Sequence, residues 1–174
     1  MKVIILARVS TEEQKKANHS IPAQLDRLRR YCSSNNMEIS EEISFDETAW
    51  KQERKRFSEV VQLISKTKEK IALCCDKIDR LVRNFTMELA TLEQLRVKGL
   101  IEMHFPNDNI VLHQSSPATD LFRFTIGVSL AKYYSDTTSD NVKRANESLR
   151  KQGKITGPAP IGYFLPYPVF RGDL

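Results

Sequence analysis

The stretch KVIILARVSTEEQ, residues 2–14, decides how the rest of the chain is read. Its first eight residues are mostly apolar, rich in β-branched side chains and without alternation, the pattern of a strand buried on both faces of a parallel sheet. Val3 to Ala7 then run straight into Arg8, Ser10 and Thr11, with no glycine or proline to announce a turn. A buried strand that ends this way carries an arginine and a serine to the edge of a sheet. The other segments are read around that edge.

Working outward, SIPAQLDRLRRYC (20–32) predicts a helix capped by Ser20, with Pro22 in its first turn and Ile21, Leu25, Leu28 and Cys32 on one stripe. EISEEISFDE (38–47) alternates and ends on acids, a second strand. ERKRFSEVVQLISK (53–66) spaces Phe57, Val60, Val61 and Ile64 as a helix does, and KIALCCDK (70–77) is a third, fully buried strand. A helix follows over about 84–98, with Phe85, Leu89, Leu92 and Leu95 inward and Gly99 at its stop. LIEMHFP (100–106) is a fourth strand, and a polar loop comes next. From near Ala118 a helical pattern then continues to Gly153, interrupted by Gly127 alone. It is too long to fold back onto a small sheet and is expected to project.

Strands alternating with helices predict an α/β fold: a mostly parallel four- to five-stranded sheet flanked by helices, with a long C-terminal helix. Residues 1–117 are read as the core, 118–153 as the long helix and 154–174 as an extended junction. The junction includes GPAPIGYFLPYPVF, with four prolines and four aromatics.

A chain of 174 residues can bury one good core, and its net charge of +5 suits a polyanionic partner. The opening apolar run is too short for a signal peptide or a membrane span, so a cytoplasmic or nucleoid-associated location is expected, without membrane partners. Three cysteines make no disulfide framework, and Cys32, Cys74 and Cys75 read as reduced, buried thiols. His19, His104 and His113 lack metal-ligand spacing, so no metal is assigned.

In open parallel sheets, functional groups gather outside the carboxyl ends of the strands. Here the first strand ends in Arg8 and Ser10, and the second in Asp46 with Arg54 following; the third runs into DKIDRLVRN, which supplies Asp79, Arg80 and Arg83. Taken one at a time these have ordinary explanations: a turn serine, surface ion pairs, a solvated helix face. Taken together they aim several arginines at one hydroxyl. That combination suits phosphoryl transfer, where charge spread over phosphate oxygens is met by bidentate guanidinium groups that keep their proton. The serine would be the covalent nucleophile.

At these residues the chain resembles a known family. ARVST (7–11), SIPAQ (20–24), DETAWKQER (46–54) and DKIDRLVRN (76–84) are similar, in order and spacing, to the catalytic domain of the serine recombinases, the resolvase and invertase family, over roughly residues 1–152. The resemblance implies a site-specific DNA recombinase. Ser10 would attack a DNA phosphodiester, leaving a 5′-phosphoserine and a free 3′-hydroxyl. Arg8, Arg54, Arg80 and Arg83 would hold the scissile phosphate, with Gln14 and Gln24 nearby. Asp79 would order the arginines or assist proton transfer, and Asp46 would orient Arg8 or Arg54. The family uses neither metal nor ATP. Leu6 stands where the family usually has tyrosine, and Thr48-Ala49-Trp50 replaces a common Ser-Gly pair. Both departures lie beside the expected site.

The long helix resembles the family's dimerisation helix, with Phe122, Ile126, Leu130 and Tyr133 as its contact stripe; a homodimer, and a tetramer on synapsis, are implied. Its end, NVKRANESLRKQGK (141–154), offers Lys143, Arg144, Arg150, Lys151 and Lys154 to double-stranded DNA against Glu147 alone. GKITGPAPIGY (153–163) resembles the junction of the large serine recombinases, so the chain is expected to be a catalytic domain of a larger protein or a natural truncation. The principal alternative is a non-catalytic, dimerising DNA-binding remnant of a recombinase or transposase. A flavodoxin-like phosphate binder would want a glycine-rich or hydroxyl-rich loop after the first strand, and RVSTEEQKKANHS (8–20) has no glycine.

Overall fold

The computed structural model describes residues 1–9, 21–46, 55, 58–62, 64–65, 69–154 and 156–157, with backbone alone at 9, 45–46 and 82–88. Five strands form one sheet in the order β2-β1-β3-β4-β5. They are β1 (Lys2–Val9), β2 (Glu38–Asp46), β3 (Ile71–Cys75), β4 (Ile101–Phe105) and β5 (Ile110–Leu112). The first four are parallel and β5 is antiparallel to β4. The helices are α1 (Ile21–Ser34), α2 (Ile78–Val97) and α3 (Ala118–Lys151). Residues 58–62 and 64–65 are also helical, within the segment read as a helix from its apolar spacing.

Alternation along β1 explains the layers. Val3 and Ile5 face a small core with Ala72, Cys74 and the α1 residues Leu28 and Cys32. Ile4 and Leu6 face a larger one containing Val60, Ile64, Leu92, Leu95, Phe105 and Phe124. Helices therefore cover both faces, which is why β1 and β3 read as continuous apolar runs. On the larger side the Phe105 and Phe124 rings stack with centroids 5.7 Å apart, fastening α3 to β4. Gly127 allows a close approach there: a Cβ at that position would lie 2.8 Å from Ile78 Cδ1.

Three differences from the sequence reading have physical causes. In β2 the register slips between Val3 and Ile4, so Ser40 is an extra residue whose hydroxyl donates to the Val3 carbonyl at 3.0 Å. The bulge resets the alternation, leaving Ile39 exposed while Ile43 is buried. The polar loop after β4 contains β5: a single 3-10 turn, Pro106–Asp108, and Asn109 in the left-handed region (φ 53°) fold three residues back onto β4. Finally, α2 begins at Ile78, well before residue 84, because Ile78 and Leu81 belong to the larger core.

The chain divides into two compact units, Met1–Tyr133 and Tyr134–Leu174. The first holds the sheet. In the second, the last turns of α3 end at Gly153, whose φ of +71° is the left-handed conformation that stops a helix. The extended segment expected beyond 157, like Ser20, Phe57 and the side chain of Phe85, lies outside the described residues.

Candidate active site

Strand order locates the site. From β1 the chain crosses by α1 to β2 on one side, and the next crossover returns to β3 on the other side of β1. This reversal makes the carboxyl ends of β1 and β3 the topological switch point, where open α/β sheets hold their ligands. Arg8 ends one strand; Asp76, Asp79 and Arg80 follow the other.

Arg8 is buried at 3% exposure. β1 pairs with β3 only as far as Leu6 opposite Cys75, so another group must satisfy the Arg8 main chain. Gln24 on α1 does so twice. The Arg8 N–H donates to Gln24 Oε1 at 3.1 Å, and Gln24 Nε2 donates to the Arg8 carbonyl at 2.7 Å. The α1 stripe expected from apolar spacing is adjusted accordingly: Gln24, Leu28 and Cys32 are buried, while Ile21 and Leu25 are half-buried. Gln24 thus acts on the strand end that carries Arg8.

Asp79 and Arg80 occupy the first turn of α2. Arg80 is 5% exposed, and its Nε lies 3.9 Å from Asp79 Oδ2. The helix start is fixed from a distance. Lys77, at the cap position, makes no side-chain capping bond, and Asp108 takes that part: its Oδ2 accepts from the Ile78 N–H at 2.7 Å. The neighbouring Asn107 N–H donates to the Asp76 carbonyl at 3.1 Å. The Asp76 carboxylate accepts from Arg27 of α1 at both oxygens, Nη2 to Oδ2 at 2.8 Å and Nε to Oδ1 at 3.3 Å.

The Asp46 backbone, opposite Val9 in the β1–β2 register, reaches the same sheet edge. Arg83 lies three residues beyond Arg80 on α2, a spacing that shares a helix face. The side chains of Asp46 and Arg83, and residues Ser10, Gln14 and Arg54 entirely, lie outside the described residues. Arg8, Gln24, Asp79 and Arg80 are therefore the expected site residues whose side chains the structure brings to this edge. Sequence reasoning overlooked Arg27, Asp76 and Asp108. A signal existed for Asp76, which follows an apolar strand directly, just as Arg8 ends one.

Beneath these charges, burial pushes the Cys75 thiol up to about 12; a backbone hydrogen bond from Lys77 opposes this, Asp79 and Asp76 add to it, and Arg80 works against it. The thiol stays protonated at neutral pH and is no nucleophile. Among the described residues, no group of three or more His, Cys, Asp or Glu side chains could hold a metal ion. No helix of the described residues is long and apolar enough to cross a membrane.

Helix α3 presents two apolar stripes. Phe124 and Ala131 are buried, with Leu121 and Val128 packed against the same core. Phe122, Ile126, Leu130 and Tyr133 fall within an arc of about 80° on the opposite side and are exposed, Phe122 at 64% and Tyr133 at 60%. Toward the helix end, Lys143, Arg144, Arg150 and Lys151 are exposed within an arc of about 120°, and Lys154 follows, exposed as well. Lys143 pairs with Asp140 at 3.4 Å and Lys151 with Glu147 at 2.8 Å, exposed pairs of the weak kind.

Known proteins are similar to the chain over most of its length. The family described as "Resolvase, N terminal domain" matches residues 3–155. Among solved structures, the N-terminal catalytic domain of TP901-1 integrase is similar at 24% identity and a TM-score of 0.56, over 79% of this chain and 99% of that one. A resolvase family site-specific recombinase from Streptococcus pneumoniae is similar at 19% identity and a TM-score of 0.52, over 88% of this chain and 97% of that one. No curated protein sequence is a significant match.

Proposed function

Given that the chain belongs to the resolvase family of serine recombinases, matching that family's N-terminal domain over most of its length, we propose that it cuts and rejoins double-stranded DNA through Ser10. The observation that carries this reading is the burial of two cationic side chains, Arg8 and Arg80, at the switch point, beside the residue that hands the chain on to Ser10. Buried guanidinium groups at a ligand-binding edge suit a phosphate, whose developing charge they meet without reorganisation.

In the proposed step, Ser10 Oγ attacks the phosphorus. The Oγ–P bond forms as the P–O3′ bond breaks, the serine gives up its proton, and O3′ leaves as a hydroxyl after taking one up. A phosphodiester is exchanged for a phosphoserine ester of similar energy, so rejoining is the same step reversed and requires no nucleotide. Arg8, Arg54, Arg80 and Arg83 hold the non-bridging oxygens, and Asp46 orients Arg8 or Arg54. Gln14 lies near the phosphate. Gln24 acts through the Arg8 main chain. Asp79, beside Arg80, orders the arginines or carries a proton.

Residues 1–117 form the catalytic core in this reading, 118–153 the dimerisation and DNA-contacting helix, and 154–174 a junction. The exposed stripe of Phe122, Ile126, Leu130 and Tyr133 is the homodimer contact, and two dimers meet on synapsis. Lys143, Arg144, Arg150, Lys151 and Lys154 follow the DNA backbone, Lys143 and Lys151 exchanging weak carboxylate partners for phosphates.

The test is covalent capture. The protein is incubated with a pool of random-sequence duplexes, and DNA that stays attached in hot detergent is recovered and counted. Attachment through the native protein and none through Ser10→Ala is the expected result. Equal recovery from both proteins would overturn the reading, and no recovery from either would favour a DNA-binding remnant.

A further inference from the structure

We propose that Arg27 and Asp76 form a positioning pair that sets Arg80 against Arg8; the inference rests on the recombinase reading above. Neither residue belongs to the phosphate-binding set. Arg27 belongs to α1. Gln24 and Arg27 are three residues apart and so share a face of that helix. Gln24 grips the main chain at the end of β1, and Arg27 grips the first residue after β3 with two hydrogen bonds. One rigid helix therefore fixes the two strand ends of the switch point relative to each other.

What Asp76 holds in turn is the start of α2. It is 5% exposed and lies four residues before Arg80, across the turn that converts strand into helix. That turn is pinned at three points: the Asp76 carboxylate to Arg27, the Asp76 carbonyl to Asn107, and the Ile78 N–H to Asp108. Asn107 and Asp108 hold it from the β4 side of the sheet, and Arg27 holds it from α1. The Arg27 contact refers the Arg80 turn to the same helix that fixes Arg8. The geometry is bidentate, which fixes orientation as well as distance. Arg27 remains half-exposed while Asp76 is buried, so the guanidinium reaches in from the rim to a fixed carboxylate.

A pair kept for stability alone predicts that restoring stability restores activity, and a positioning pair predicts otherwise. The informative variant is the double substitution Arg27→Met with Asp76→Asn, which removes both charges and leaves none buried and unpaired. It is compared with Arg27→Lys, which keeps the charge and loses the fork. Rates of covalent capture on the recovered duplexes are measured beside thermal unfolding and DNA affinity. The expected result is a double variant with native melting and native DNA affinity that cleaves about ten- to a hundredfold more slowly, as a misplacement of the order of 1 Å would cause. Arg27→Lys should recover part of that loss. A stable double variant that cleaves at the native rate would overturn the pair's role and leave the recombinase reading standing. A loss of cleavage that tracks melting across the variants would equally overturn it in favour of a structural role. No capture by the native protein would remove both readings at once.

Discussion

At the amino ends of the strands, Lys2 reaches Glu69 at 2.9 Å and Lys70 reaches Glu102, with both lysines about half exposed. At the carboxyl ends, Arg8, Asp76 and Arg80 are buried at 3%, 5% and 5% exposure. The same sheet thus treats charge in two ways. Exposed pairs are screened by solvent and contribute little to stability. Buried ions give up hydration that their partners repay only when geometry is good, so they are poor instruments of stability. Arg96 is buried as well, at 4% exposure, but Glu93 and the His113 carbonyl engage its guanidinium, whereas Arg8 and Arg80 gather at the carboxyl edge, where buried cations suit recognition.

The largest effect separating the two ends should come from Arg80→Ala. Covalent capture is expected to fall by about a hundred- to a thousandfold, the range for losing one preorganised charge-stabilising donor. A variant within threefold of native would erase the distinction. Gln24→Ala comes next. It strips the Arg8 N–H and carbonyl of their partners, and urea unfolding should register a loss of about 2 kcal/mol or more, since each unsatisfied buried group costs about 1–3. Cleavage should slow as well, because Arg8 is no longer held.

A smaller effect concerns β4. Tyr31 Oη lies 3.0 Å from His104 Nδ1, and His104 Nε2 lies 3.4 Å from Glu102 Oε2. Burial lowers the His104 pKa, and the Glu102 carboxylate offsets only part of that shift. Between the lowered value and about 6.5, the unfolded chain binds a proton that the folded one refuses, so stability falls as pH drops through that window. Urea midpoints of the native protein should decline from pH 7.5 to 5.5, with a flatter profile in His104→Gln. Identical profiles would show that the histidine does not contribute. Least of all, Lys2→Ala should leave both the urea midpoint and the capture rate unchanged; a clear loss of either would mean that the amino end is not the passive one.

The sheet itself was legible. Val3–Ala7 and Ile71–Cys75 reveal central strands because burial on both faces leaves no polar residue in the run, and the same logic exposes Arg8 and Asp76 as departures from it. Two things were hidden for one reason. The start of α2 carries Lys77, Asp79, Arg80 and Arg83 and looks like a loop; its cap comes from Asp108, thirty residues away in sequence. Strand β5 is three residues long and exists through its pairing with β4. Local patterns miss elements that a distant contact completes. Gln24 was placed near the site by resemblance, but its two bonds to the Arg8 main chain follow from the position of α1, which no spacing discloses.

All three cysteines of the chain sit in the middle of this architecture, Cys32 on α1 and Cys74 and Cys75 on β3, each buried and free. Burial raises the pKa of every one of them. Alkylating reagents in neutral buffer therefore find no reactive thiol on the folded surface, and labelling must wait until the central strand or its covering helix opens. Labelling kinetics followed by mass spectrometry would time that opening, with Cys32 reporting on the helix that spans the two strand ends and Cys75 on the strand beneath the arginines. The chain carries its own clock.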